Sequence, residues 1–100
     1  MLKKFRTYQL AVEFYFNCKK LNMPPYLRNQ LERAASSIAL NLAEGNARQS
    51  TNDRKHFFQI AYGSLKECQA ILELAAPKTS AYTLADTLAA HLYRLIKNAY

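Results

Sequence analysis

The 100-residue sequence has few of the residues that interrupt a chain or build strands: it contains two Gly, three Pro, one Val and four Ile, and no Trp. Ala and Leu are abundant instead, with fifteen and fourteen copies. These two residues lead the helix-propensity ranking, whereas β-branched residues favour strands. The composition therefore predicts a few long helices, and it excludes a β-sandwich, a β-barrel or a glycine-rich nucleotide-binding domain. The length predicts a single domain over residues 1–100.

Long apolar runs and clustered cysteines are also missing. The uncharged window Ala34–Ala43 spans ten residues, whereas a membrane-spanning helix needs about 20. Cys18 and Cys68 stand far apart, without the CxxC spacing of a metal or redox site. We therefore expect buried free thiols in a reducing compartment. The sequence predicts a cytoplasmic protein that does not interact with membranes.

Four helices are predicted, separated by three short breaks. The segment Asn22–Pro25 ends the first helix near Leu21, and Gly45-Asn46 is expected to stop the second in a left-handed conformation. Ser50 is placed to cap the third helix, and Pro77 ends it. The predicted spans are Arg6–Leu21, Pro25–Glu44, Ser50–Ala76, and Ser80 or Thr83 to the last residue. Such helices on short connections predict an all-α, antiparallel up-down-up-down four-helix bundle.

The first predicted helix carries more apolar surface than one bundle can bury. Its apolar residues cover about 240° of its circumference, whereas an ordinary surface helix needs little more than about 100°. A contiguous apolar surface of this size is typical of an interface between subunits. We therefore predict a homo-oligomer whose contacts are made by Tyr8, Val12, Tyr15 and Phe16.

Polar residues follow the edge of the apolar stripe on the second and third helices. Polar groups at such depth must be hydrogen-bonded, and the spacing predicts that Arg33 pairs with Glu67 or Glu44. Networks of this kind fix the register between helices. We interpret the group as a structural network rather than a catalytic one; its members are Arg33, Ser37, Asn41, Glu44, Ser64 and Glu67.

No catalytic residue, metal ligand or cofactor is predicted. The sequence contains no Glu-x-x-His pair of a di-iron bundle, and no phosphate-binding loop, nucleophile elbow or HExxH motif. Glu44, Glu67 and His56 are the groups that could imitate an acid/base cluster. We therefore expect a protein that is not an enzyme.

Function is predicted from the basic residues instead. Fourteen Lys and Arg stand against seven Asp and Glu, which gives a formal net charge of +7, and such an excess attracts polyanions. An up-down bundle brings the start of the first helix and the turn after the second to one end. We predict that this end binds RNA or DNA phosphates through Lys3, Lys4, Arg6, Arg48, Arg54 and Lys55.

Two features of this interpretation stay open. Exposed Tyr62 or Tyr100 could stack on unpaired bases. The same basic surface would also suit a protein-interaction scaffold that docks an acidic partner, such as a nucleic-acid-processing enzyme. Loss of all partners after nuclease treatment would favour direct binding of nucleic acid over the scaffold.

The motifs of the second and third helices resemble those of a known family. The second helix and its exit read Arg33-x-x-x-Ser37-x-x-x-Asn41-x-x-Glu44-Gly45, followed by Arg48, and the third reads Phe58-x-x-Ala61-x-Gly63-Ser64-x-x-Glu67. Together with the opening Phe5-x-x-Tyr8-x-x-Ala11, this pattern is similar to the four-helix-bundle proteins encoded in bacterial 23S rRNA intervening sequences. The similarity extends over nearly the whole chain, although the fourth helix matches only in its apolar pattern.

The resemblance implies a cytoplasmic bundle that assembles as a homopentamer around a central axis. It also implies kinship with the accessory variability determinant of diversity-generating retroelements, a basic pentamer that binds a reverse transcriptase and nucleic acid. In such a ring the six predicted cations of each chain would become about thirty on one end. A role associated with rRNA is thus an expectation that comes from the resemblance.

Overall fold

Four helices make up most of the chain in the computed structural model, which describes residues 2 and 5–99. The helices are α1 Arg6–Lys19, α2 Pro25–Ala47, α3 Thr51–Ala75 and α4 Ser80–Lys97. Pro25 occupies the first turn of α2, where its missing N–H costs nothing. Ser50 caps α3, because its Oγ accepts a hydrogen bond from the Asp53 N–H at 3.0 Å. The predicted all-α fold and the Ser50 cap are confirmed.

Consecutive helices run antiparallel. The connections are three to five residues long and reach at most about 18 Å, less than the length of about 21 Å of the shortest helix. Each helix packs against the one that follows it, and α4 packs back against α1. A hydrogen bond from Gln69 of α3 to Asp86 of α4 fits this arrangement, as does the packing of Phe5 on Phe58. The four helices therefore form an up-down bundle.

Aliphatic side chains from all four helices fill the centre of the bundle. Their burial supplies most of the folding energy, about 1.5–3 kcal/mol for each large side chain. The largest side chains that are fully buried are Phe14, Leu31, Ile38, Leu42, Leu65, Leu72, Leu88 and Leu92. Because α2, α3 and α4 alternate these residues with polar ones at helical spacing, each presents one face to the core.

The helix α1 buries only part of its apolar surface. Leu10, Phe14 and Cys18 face the core and are inaccessible to solvent. Tyr8, Val12 and Tyr15 are half-buried, and Phe16 is 54% exposed. The single chain therefore leaves an apolar strip of α1 at its surface.

Gly45 does not end α2, so the predicted left-handed stop is wrong. The helix continues to Ala47, and neither glycine has a positive φ. Gly45 is buried, and a Cβ there would lie 2.7 Å from Cε1 of Phe58 and 3.1 Å from the Arg54 carbonyl oxygen. A side chain at this position would thus collide with α3. Glycine is required by the close approach of the two helices rather than by a turn.

Cys18 and Cys68 are buried free thiols, as predicted. Burial raises the pKa of the Cys18 thiol to about 12, and the neighbouring Glu32 carboxylate adds to the increase. Burial also raises the pKa of the Cys68 thiol. Because the thiolate is the reactive form, both thiols are inert near neutral pH.

The Gly45→Ala substitution is expected to destabilise the protein by about 1–3 kcal/mol, because the added methyl group overlaps the Phe58 ring. The matched control is Gly63→Ala within α3, where a Cβ meets no atom within 4 Å. That substitution should stabilise the protein by about 0.5–1 kcal/mol, because Ala is the better helix former. Urea unfolding of both variants measures the difference, and equal effects would contradict the assignment.

Candidate nucleic-acid interface

The topology brings three segments of the chain together at one end of the bundle. These are the start of α1, the α2–α3 connection and the end of α4. Phe5, Asn46, Arg54 and Leu95 line a common cleft of about 440 Å³ there. We call this the basic end. The prediction that the start of the chain and the turn after α2 share an end is therefore confirmed for the described residues.

Four of the six predicted phosphate-binding cations lie at the basic end. Arg6 is the first residue of α1 and is exposed, and Arg48 is exposed directly after α2. Arg54 and Lys55 are half-buried near the start of α3. The remaining two, Lys3 and Lys4, lie outside the described residues.

Two further cations, which were not predicted from the sequence, lie at the basic end. Arg94 and Lys97 occupy the last turn of α4, and both are exposed. The up-down topology could have predicted their position, because it places the end of the fourth helix beside the start of the first. With these two, six described cations at the basic end stand against two carboxylates, Glu44 and Asp53.

The other acidic residues of the chain lie away from the basic end. Five carboxylates stand against six cations in the middle of the bundle and at its opposite end, where the charges nearly balance. The five are Glu13, Glu32, Glu67, Glu73 and Asp86. Most of the net charge of +7 is therefore concentrated at one end of the molecule.

Two of the arginines at the basic end also hold the α2–α3 connection together. The guanidinium of Arg48 contacts the Glu44 carboxylate at 2.6 Å and lies 4.8 Å from the centre of the Phe57 ring. Arg54 donates through Nε and Nη2 to the Arg48 carbonyl oxygen at 3.3 and 3.2 Å, and through Nη2 to the Gln49 carbonyl at 3.2 Å. Because Arg48 and Gln49 follow the last residue of α2 and lie outside any helix, these hydrogen bonds to their carbonyl oxygens stabilise the exit from α2.

The predicted polar network forms only in part. Ser64 Oγ donates to Ser37 Oγ at 3.0 Å, and Asn41 Nδ2 donates to Ser37 Oγ at 3.1 Å and to its carbonyl oxygen at 2.9 Å. These three half-buried residues join α2 to α3. Their position between two packed helices fits the structural role that we predicted.

The predicted ion pairs of Arg33 do not form among the described residues. Arg33 and Glu67 are both exposed, and Glu44 pairs with Arg48 instead. An exposed charge is solvated and requires no partner, so the position of Arg33 at the edge of the apolar stripe does not force it into a network. Three of the six predicted residues thus lie outside the hydrogen-bonded group.

The predicted interface residues form a continuous strip along α1. Tyr8 and Val12 line an open apolar cleft of about 370 Å³. Further along the helix the Tyr15 and Phe16 rings meet edge to face, with centroids 5.4 Å apart. We call Tyr8, Val12, Tyr15 and Phe16 the α1 face. It is apolar and accessible in the single chain.

Residues 2 and 5–99 contain neither a candidate metal site nor a candidate membrane-spanning helix. No three His, Cys, Asp or Glu side chains come together in a group that could hold a metal ion. No helix in this part of the chain has the length and apolar character needed to cross a membrane.

Sequence comparison gives the same family as the motifs of the second and third helices. A sequence model of the 23S rRNA-intervening sequence protein family matches residues 3–98. The match includes all four helices, the basic end and the α1 face. No curated protein is significantly similar to this chain.

A double-mutant cycle should show that the Ser37–Ser64 contact is structural. Replacing either serine by Ala leaves the other hydroxyl without this partner, whereas replacing both removes donor and acceptor together. We expect a coupling energy of about 1 kcal/mol from urea unfolding of the two single variants and the double variant. The gain in helix propensity from Ala cancels in the cycle. Additive effects on stability would contradict this assignment.

Proposed function

Because the chain belongs to the 23S rRNA-intervening sequence protein family, we propose that it is a non-enzymatic protein that binds structured RNA through its basic end. Family membership suggests a role related to rRNA. The observation that carries the proposal is the concentration of positive charge at one end of the bundle, where six described cations stand against two carboxylates. A polyanion is the partner that such a surface attracts.

The placement of Arg6 is unfavourable for the isolated fold, which supports a role in binding. Arg6 is the first residue of α1, and the first turn of that helix contains no acidic residue. Since the N-terminus of a helix is partially positive, a cation there is destabilising by a few tenths of a kcal/mol or more, and an anion is favoured. The start of α3, where Arg54 and Lys55 follow the acidic Asp53, faces the same end. Phosphate groups would complement both helix termini and the side-chain charges.

Binding of this kind acts on the RNA backbone. Contacts to phosphates are independent of sequence and weaken steeply as salt displaces them. Arg48 and Arg54 are fixed by their contacts within the α2–α3 connection. Rigid cations lose little freedom on binding, so this turn would position the duplex, while Arg6, Arg94 and Lys97 on the flanking helices would adapt to it.

The α1 face would join copies of the chain into a ring. The family resemblance implies five copies, so we propose a homopentamer, in which the six described cations of each chain give about thirty at one end of the assembly. A partner copy would cover the apolar side chains that a single bundle leaves accessible. The multiplied surface would bind one RNA through several weak contacts at once, which raises the affinity without any new kind of contact.

The assembly can be tested with Val12→Glu and Phe16→Glu together. Native mass spectrometry should give an oligomer for the unsubstituted protein and a smaller species for the variant, because two carboxylates cannot be buried unpaired in an apolar interface. Leu74→Glu is the control, since Leu74 is 79% exposed and lies outside the α1 face. An unsubstituted protein that is monomeric, or a double variant of unchanged mass, would contradict the proposal.

The RNA-binding surface can be tested by reversing charges at the two ends of the bundle. Arg6→Glu with Arg94→Glu should weaken binding of a hairpin RNA at least tenfold at about 0.1 M salt, and should reduce the salt dependence by about two counterions. Lys20→Glu with Lys78→Glu changes the net charge equally at the opposite end, and all four residues are exposed. A salt-titrated fluorescence anisotropy assay measures the affinities. Arg6→Glu also favours the α1 terminus, so unfolding from this substitution is not expected.

Two results would contradict RNA binding at the basic end. One is an equal loss of affinity in both double variants, because the effect would then follow the net charge rather than its location. The other is binding that is absent or insensitive to salt. Duplex DNA of the same sequence tests the choice of nucleic acid, and a protein partner that survives nuclease treatment in a pull-down would favour the scaffold instead.

A further inference from the structure

A groove between α3 and α4 lies directly beside the basic end. It has a volume of about 350 Å³ and is lined by Gln59, Tyr62, Tyr93, Ile96 and Lys97. This volume is at the lower end of the range for sites that hold small molecules. None of the five lining residues is acidic. Lys97 belongs both to the groove and to the basic end.

The groove combines an exposed aromatic ring with a cation. Tyr93 is 56% exposed, while Tyr62 and Ile96 are half-buried and pack against the core. The ammonium group of Lys66 lies 5.2 Å from the centre of the Tyr62 ring, so one face of that ring is already covered by a positive charge. Tyr93 is therefore the ring that is best placed to receive a flat ligand.

We infer that this groove binds an unpaired nucleotide of the RNA, with the base stacked on Tyr93 and the adjoining phosphate on Lys97. The inference rests on the proposed RNA binding at the basic end. A nucleobase offers a flat π-face that stacks on tyrosine whatever its sequence. The phosphate supplies the negative charge that Lys97 and the nearby Lys66 would complement. The Gln59 amide, which can donate and accept, would form hydrogen bonds with the edge of the base.

The groove would bind a different part of the RNA from the part that the basic end binds. A duplex presents phosphates but keeps its bases stacked inside. It can therefore contact the cations of the basic end, but it has no free base to stack on Tyr93. A strand that leaves the duplex at the basic end would pass Lys97 and enter the groove. The protein would therefore favour a junction between a helix and a single strand over either element alone.

The test uses a hairpin RNA with a short single-stranded tail that carries the fluorescent base 2-aminopurine. The chain contains no Trp, so the probe can be excited without exciting the protein. Addition of the protein should quench the probe, and the tailed hairpin should bind about tenfold more tightly than a blunt hairpin or one with an abasic tail. Tyr93→Leu should remove the quenching and the gain in affinity, and Tyr93→Phe should preserve both.

Tyr26→Leu is the matched control, because Tyr26 is 69% exposed at the start of α2, away from the groove. It should behave like the unsubstituted protein. If the blunt hairpin binds and the tail adds neither affinity nor quenching, the groove assignment is wrong and the basic end is unaffected. If no RNA binds, both the groove assignment and the proposed binding at the basic end are wrong. If Tyr93→Leu lowers the native mass of the oligomer, the groove is an interface between copies, and the assignment is also wrong.

Discussion

The close packing of α2 against α3 determines the geometry of the α2–α3 turn at the basic end. Gly45 lets the end of α2 approach the Phe58 ring, and the Ser37–Ser64 hydrogen bond joins the two helices further along. Arg54 then closes the connection by donating to the carbonyl oxygens of Arg48 and Gln49. Because the Gly45 and Arg54 contacts lie beside the turn between α2 and α3, the interactions that hold the two helices together there also fix the positions of Arg48 and Arg54.

The cations of the basic end differ in what they contribute to the fold. Arg48 pairs with Glu44, and Arg54 donates to the Arg48 carbonyl oxygen. These two arginines therefore stabilise the local structure at the end of α2. Arg6, Arg94 and Lys97 are exposed. Arg94 and Lys97 lie in the last turn of α4, where a cation is weakly stabilising, whereas Arg6 lies in the first turn of α1, where it is not. Their repulsion from one another is a small cost to the folded chain, which a bound polyanion would reverse. The proposed binding would thus explain the position of Arg6, which the positive N-terminus of α1 disfavours.

Local signals in the sequence were sufficient to predict the four helices, the Ser50 cap and the buried thiols. They also predicted that the start of the first helix and the turn after the second lie at the same end of the bundle. They failed where the constraint acts between helices. Gly45 is a common helix terminator, and only the position of Phe58 shows that it is needed inside the helix. Periodicity placed Arg33 beside the apolar stripe, but an angle around a helix does not give the depth of a long side chain. Arg94 and Lys97 were not predicted at the basic end, because the charges of each helix were considered without the neighbouring helices.

The proposed assembly and the proposed binding surface share one helix, and this links their energetics. Arg6 opens α1 at the basic end, and the α1 face begins two residues later at Tyr8. Packing copies together through that face would therefore bring their basic ends close and increase the repulsion among them. An RNA that spans several copies would remove this repulsion, so RNA binding would stabilise the ring, and the ring would raise RNA affinity by the same free energy. Apolar burial on α1 and phosphate contact at the basic end would then be two parts of one equilibrium.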